Sequence, residues 1–265
     1  QEYRISEEND YAILGVSFGG LIAIEMSKIV NPKWTILISQ IIAHLAIIPL
    51  VIYGNWWHYL VVLFVYFLNG CLGMTMTYHR LLSHRSWNPP KWIEYLFVLF
   101  ATIGMTGSAI SWVAIHREHH KFENSEQDPH APQHKGWFRA HYLSMFAKVN
   151  PRYAVDLMRI KFYVWQHKHY MDICVVYGVV LYCIDPMAVV YAWLVPAAVL
   201  WNGGSLIVST SHRNGSQHND LIFAITTWGE GYHATHHDYP NEYRFGKWDL
   251  GGYLIEKCGR KLSKK

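Results

Sequence analysis

The sequence predicts an all-α integral membrane protein: two transmembrane helical hairpins, giving four spans, with a helical cap at one end. Three observations predict it. Long stretches carry no charge, Lys and Arg are confined to one side of those stretches, and histidines gather at their edges. The 265 residues hold 23 Lys+Arg, 19 Asp+Glu and 17 His, for a formal charge of +4. Only 16% are charged, against roughly 25% in an average soluble domain. This balance argues against a disordered chain and against a nucleic-acid-binding protein, since both need more charge. Four scattered Cys without a CxxC pair read as free thiols rather than a disulfide framework.

The elements follow in order. The opening QEYRISEEND is acidic and polar, unlike a secretory signal peptide. Residues 11–29 are apolar but interrupted by Glu25 and a Gly pair, which leaves their place open. From Trp34 to His79 no Asp, Glu, Lys or Arg occurs. One crossing needs about 20 apolar residues, so this block holds two spans, 34–53 and 58–78. Their turn falls at Gly54-Asn55-Trp56-Trp57, and paired Trp suits a membrane–water interface. A second hairpin is expected at 165–184 and 187–211, turning at Asp185-Pro186. The cap comprises 79–164 and 212–265, and the whole chain, 1–265, is read as one domain.

Every Lys and Arg lies before Trp34, between His79 and His169, or after His212. Cationic loops stay in the cytoplasm, so both termini and the cap are expected on the cytosolic side. A soluble helical bundle offers no reason for such one-sided charge.

Nine His fall into patterned clusters. His79 and His84 form H-x4-H. His116, His119 and His120 form H-x2-H-H, as do His233, His236 and His237, and His212 ends the last apolar block. On a helix, positions i, i+3 and i+4 share a face, so each triplet can point at one place. Five residues turn an α-helix to about 140°, so His79 and His84 are expected at a helix end or at two different centres. Imidazole is a good ligand for Fe, Zn, Cu and Ni. Nine ligands exceed what one ion takes, so two metals are expected. All clusters must reach one site, so the uncharged segment 95–115 is read as lying in the interface or dipping back.

The stretches YHRLLSHRSW (78–87), HREHHKF (116–122), DPH (128–130) and GEGYHATHH (229–237) resemble the membrane-bound fatty acyl desaturases, within them the Δ9, stearoyl-CoA-desaturase-like branch. The resemblance covers roughly 33–255. It implies four spans, a cytosolic cap, and O2-dependent cis-desaturation of a long-chain acyl-CoA or acyl-lipid, with Δ9 the expected position. It implies a di-iron centre on the nine His above, with zinc as the alternative occupant of a recombinant sample. Asp128 and Glu230 match positions that orient ligand imidazoles.

One departure from the family pattern is Val208, four residues before His212, where an Asn is usual. That role would fall to Ser209, Ser211, Asn214 or another group. No His-Pro-Gly-Gly occurs, so a separate electron donor of cytochrome b5 or ferredoxin type is expected. The substrate tunnel is placed along the second span, at Phe64, Phe67, Leu68, Leu72 and Thr75. Head-group binding is assigned to Arg117, Lys121 and Arg152 of the basic cap. Two rival readings remain. A lipid hydroxylase on the same scaffold differs only in product. A His-rich metal transporter would want ionisable groups along its spans, where this sequence has few.

Overall fold

The computed structural model describes residues 33–258 apart from 144–145, 148–149 and 213–214. The segment 11–29, Lys148 and Asn214 therefore lie outside the described residues. Among the described residues, three helices are long and apolar enough to cross a membrane: Trp34–Tyr53, Trp56–Ser83 and Pro186–Ser211.

The first is α1 (Lys33–Leu45) followed by α2 (Ile47–Tyr53). Pro49 cannot donate to the carbonyl of Leu45, so the helix breaks between them. The tight turn ends at Asn55, whose side chain and that of His58 cap α3 (Trp56–Tyr66) reciprocally. From Phe67 to Ser83 the same helix continues as a π-helix, far longer than the usual single-turn bulge.

This helix packs along α4 (Lys91–Ile103). A Cβ on Gly73 would sit 2.5 Å from the Ala101 nitrogen, so only Gly allows the approach. Gly73→Ala should cost about 1–3 kcal/mol through overpacking. Thermal unfolding in detergent measures this, and an unchanged midpoint would refute the contact.

The uncharged segment 95–115 reverses rather than crosses. The chain leaves α4, turns through residues 104–108 with Met105 at φ 57° and Gly107 at φ 107°, and returns as α5 (Ala109–Phe122). Backbone groups exposed by such a turn need partners. Trp193 Nε1 donates to the Ile103 carbonyl (3.0 Å), Gln40 Nε2 to that of Met105 (3.0 Å), and the Gly107 N–H to the Tyr170 hydroxyl (3.1 Å).

After α6 (Trp137–Tyr142), the expected 165–184 helix needs correction. It is two helices, α7 (Lys161–Lys168) and α8 (Tyr170–Ile184), separated at His169. The polar run Gln166-His167-Lys168 belongs to α7, whose buried Gln166 donates to Tyr78 (3.2 Å) and Thr102 (2.9 Å). α8 has 15 residues, or about 22 Å, short of the roughly 30 Å hydrocarbon core. The last apolar helix runs from Pro186 through a π-turn into α9 (Val195–Ser211). Tyr191 stacks on His58, centroids 4.5 Å apart, so the two tight turns lie together at one end. After it come α10 (Leu221–Thr226), α11 (His233–Asp238) and α12 (Leu250–Cys258).

Cys71 and Cys174 are free and buried, while Cys183 is free but exposed. Phe64 is 60% exposed on the outer face of α3. It does not face inward as a tunnel residue must.

Candidate metal centre

The nine clustered His converge at the end opposite the tight turns, but in a different division from that of their sequence triplets. The ring nitrogens of His79, His84, His116, His120 and His236 lie within 4.8 Å of one another. Those of His119, His212, His233 and His237 form a second group. Each H-x2-H-H is thus split. Its i, i+4 pair faces one centre in both cases, and the remaining His faces the other. Successive positions i+3 and i+4 sit on opposite flanks of position i, so one short helix feeds two adjacent centres. The groups touch: the His120 and His237 rings stack at 4.4 Å.

Of the two alternatives for His79 and His84, the helix end holds, since His84 caps the π-helix, and the two different centres do not. In a π-helix the repeating bond is i→i+5, and the His84 N–H donates to the His79 carbonyl at 3.2 Å. Residues five apart then share a face, and both rings reach the same group.

A metal fits this donor set. His236 Nε2 lies 3.1 Å from His79 Nε2 and 2.8 Å from His120 Nε2. His233 Nε2 lies 2.7 Å from His212 Nε2 and 3.1 Å from His237 Nε2. A neutral imidazole nitrogen carries either one proton or one lone pair, so it cannot satisfy two others. One cation at about 2.1 Å from each nitrogen puts neighbouring donors about 3 Å apart. The buried His119 Nε2 has no hydrogen-bond partner among the described residues, as a nitrogen awaiting a cation would. Burial and neighbouring imidazoles push His84, His116, His120, His233 and His236 well below the usual imidazole range. The same causes bring His212 to about 2. These rings are neutral, which is the ligating form.

Carboxylates hold the outward nitrogens. Glu230 lies 2.5 Å from His79 Nδ1, and Asp128 is 2.9 Å from His119 Nδ1. Burial alone would raise the Asp128 carboxyl, but the bond with His119 and its charge outweigh this and hold it at about 2. Asp128 also accepts from the Asn124 and His130 N–H groups. Such partners fix ring orientation, and losing one costs roughly 10–100-fold in metal affinity. Asp128→Asn should lower metal affinity by that factor in a chelator competition. Wild-type affinity would refute the role.

Sequence reasoning missed two further partners. Glu123 bonds His237 Nδ1, and Asn124 Oδ1 lies 3.3 Å from His212 Nδ1. Their adjacency to the HREHHKF box was the available signal. Ser209, one candidate for the role vacant at Val208, is engaged with His141 at 3.0 Å.

Arg80, fully buried, links the site to the C-terminal helix. It donates to Asp249 (2.9 Å), Glu230 (3.4 Å) and the Tyr243 carbonyl (2.8 Å). Gly229, at φ 115°, lies against this pair: a Cβ there would sit 2.1 Å from Asp249 Oδ1.

The substrate residues fare differently. Thr75 is buried, on the face of the π-helix where a Cβ on Gly251 would sit 2.6 Å from its methyl. Phe67 packs edge-on against Trp228 at 5.5 Å. Leu68 is half-buried, and half-buried Leu72 packs on the core beside Cys71 and Met76. Arg117 is not free for a head group: it clamps Asp156 (2.8 Å) and the carbonyls of Leu82, Ser83 and Tyr153. Lys121 and Arg152 are exposed, both above the Tyr153 ring.

Residues 54–245 match the family model of the fatty acid desaturases. The chain is 31% identical over 234 residues to the sn-1 stearoyl-lipid 9-desaturase of Synechocystis sp., covering 82% of this chain and 73% of that one. It is 33% identical over 219 residues to Delta-9 acyl-lipid desaturase 2 of Arabidopsis thaliana, covering 75% and 71%. Over 223 residues it is 30% identical to an acyl-CoA 5-desaturase of Anemone leveillei, covering 76% and 69%.

Proposed function

The chain belongs to the fatty acid desaturase family, and from that premise we propose that it places a cis double bond at C9 of a lipid-linked long acyl chain, using two irons held by the nine clustered His. The carrying observation is the pair of imidazole groups in which one nitrogen faces two others. The position and the carrier rest on the relatives named as 9-desaturases acting on acyl lipids.

Two bound irons would supply the oxygen-derived oxidant that an unactivated methylene requires, which no side chain provides. The protein's own part is positional. His79, His84, His116, His120 and His236 would hold one iron, and His119, His212, His233 and His237 the other. Glu230, Asp128, Glu123 and Asn124 fix the rings through their outer nitrogens, and an all-imidazole donor set leaves the irons electron-poor. Electrons would come from a donor of cytochrome b5 or ferredoxin type.

In this reading α8, short as it is, crosses as well, and the Lys and Arg confined to the His side put that side in the cytosol. The adjacent tight turns and the bare Val175, Val176, Val179 and Val180 of α8 support it.

Gas chromatography–mass spectrometry of cells expressing the chain tests this, with derivatisation to locate the bond and lipids separated from acyl-CoA. A new Δ9 cis-monoene first appearing in lipid is expected. A hydroxylated product would move the reading to a hydroxylase, and first appearance in acyl-CoA would overturn the carrier.

A further inference from the structure

α10 (Leu221–Thr226) joins the loop after His212 to the turn that carries Glu230. Ala224 packs inward, while Leu221, Ile222 and Ile225 stand 52%, 71% and 54% exposed. Three branched aliphatics side by side on a six-residue helix form a bare apolar face.

The depth of that face is set by its contacts. The Thr226 carbonyl accepts from the Tyr66 hydroxyl at 2.7 Å. Gly203 of α9 lies against the next residue: a Cβ there would sit 3.3 Å from the Thr227 methyl and 3.4 Å from the Tyr66 hydroxyl. Tyr66 is about 15 Å along the helix from Trp56, near half of a roughly 30 Å hydrocarbon core. Gly203 lies about 12 Å short of the Ser211 end of α9. α10 therefore meets both helices part-way along their length and not beyond their ends. Leu63, one turn below Tyr66 on the same face, is 60% exposed. The apolar surface of α3 thus runs on into that of α10.

We propose that α10 is embedded in the bilayer, with Leu221, Ile222 and Ile225 against lipid acyl chains. Interfacial helices bury an apolar face about 5–10 Å below the head groups, and these contacts, about 12–15 Å along the two helices, set α10 at least that deep. The consequence reaches the metal centre. From Thr226 the chain needs only Thr227, Trp228 and Gly229, the last two at positive φ, to reach Glu230 beside His79. Acyl chains of the bilayer then touch the element that positions a ligand carboxylate. The inference rests on the spanning reading of Trp56–Ser83 and Pro186–Ser211.

The test places a nitroxide at Ile222→Cys in phosphatidylcholine proteoliposomes, in a background with Cys183 and Cys258 changed to Ser. Collision with oxygen, which partitions into hydrocarbon, is compared with collision with water-soluble chromium oxalate. Labels at Phe64→Cys and at Glu126→Cys calibrate the bilayer and water. A label at Ile225→Cys repeats the reading. Labels at 222 and 225 should favour oxygen severalfold over the label at 126, approaching the label at 64. Chromium-dominated relaxation at 222 and 225, with oxygen-dominated relaxation at 64, overturns the embedding alone. Chromium dominance at 64 as well overturns the spanning reading and the embedding together. Shielding from both reagents means that protein, such as a second copy of the chain, covers the face, and this too overturns the proposal.

Discussion

Replacing His236 with Ala abolishes double-bond formation and leaves the chain short of metal. His236 Nε2 is the nitrogen that faces both His79 and His120, so its loss opens the first group at its middle. Loss of an outer partner lowers metal affinity or activity roughly 10–100-fold, and loss of a ligand at the junction of three should exceed that. Phe245 packs on the ring at 4.9 Å, so the Ala variant also loses a packing contact. The second group is affected less directly. His236→Ala should therefore retain about half the metal, measured per chain by elemental analysis, and yield no detectable product. His119→Ala should remove the complementary half. Wild-type metal content in either variant would refute the division into two groups.

The second large effect is on stability. Asp249→Asn removes the nearer carboxylate of the buried Arg80 guanidinium and leaves it only the longer contact to Glu230 at 3.4 Å. Arg80 and Asp249 are both fully buried, and breaking a buried pair by removing one partner costs about 3–5 kcal/mol. Asp249 also accepts from the Phe245 and Gly252 N–H groups, anchoring α12 at its start. For a chain of this size the loss corresponds to a fall in Tm on the order of 10 °C. The damage extends to the metal centre, because Arg80 also holds Glu230, and Glu230 holds His79. Thermal unfolding in detergent reads the first effect and metal retention the second. An unchanged Tm would mean that the pair contributes nothing that water or Asn cannot replace.

Much of the site was legible because its signals are local. The uncharged runs and the spacing of His within each box are properties of a few consecutive residues, and three of the four expected apolar helices formed where those patterns placed them, while 165–184 divides at His169. What escaped is set by departures from α-geometry or by distance. The H-x4-H spacing reads as divergent on an α-helix and becomes convergent only on the π-helix that Phe67–Ser83 adopts. The division of each H-x2-H-H between two groups depends on where α5 and α11 face each other. Arg80 and Asp249 are 169 residues apart, and no periodicity links them. Arg117 read as a free cation because a sequence does not show that the Leu82, Ser83 and Tyr153 carbonyls surround it. Phe64 read as inward because it shares a helical face with His79 on ideal α-geometry, which the switch to a π-helix between them does not preserve.

The metal centre carries the proposed chemistry. Iron content and extended X-ray absorption of the purified, iron-loaded chain measure it in one sample. Two irons per chain are expected, each ringed by imidazole nitrogens, with one lost on His236→Ala and the other on His119→Ala. A single iron per chain, or a first shell dominated by carboxylate oxygen or sulfur, would contradict it.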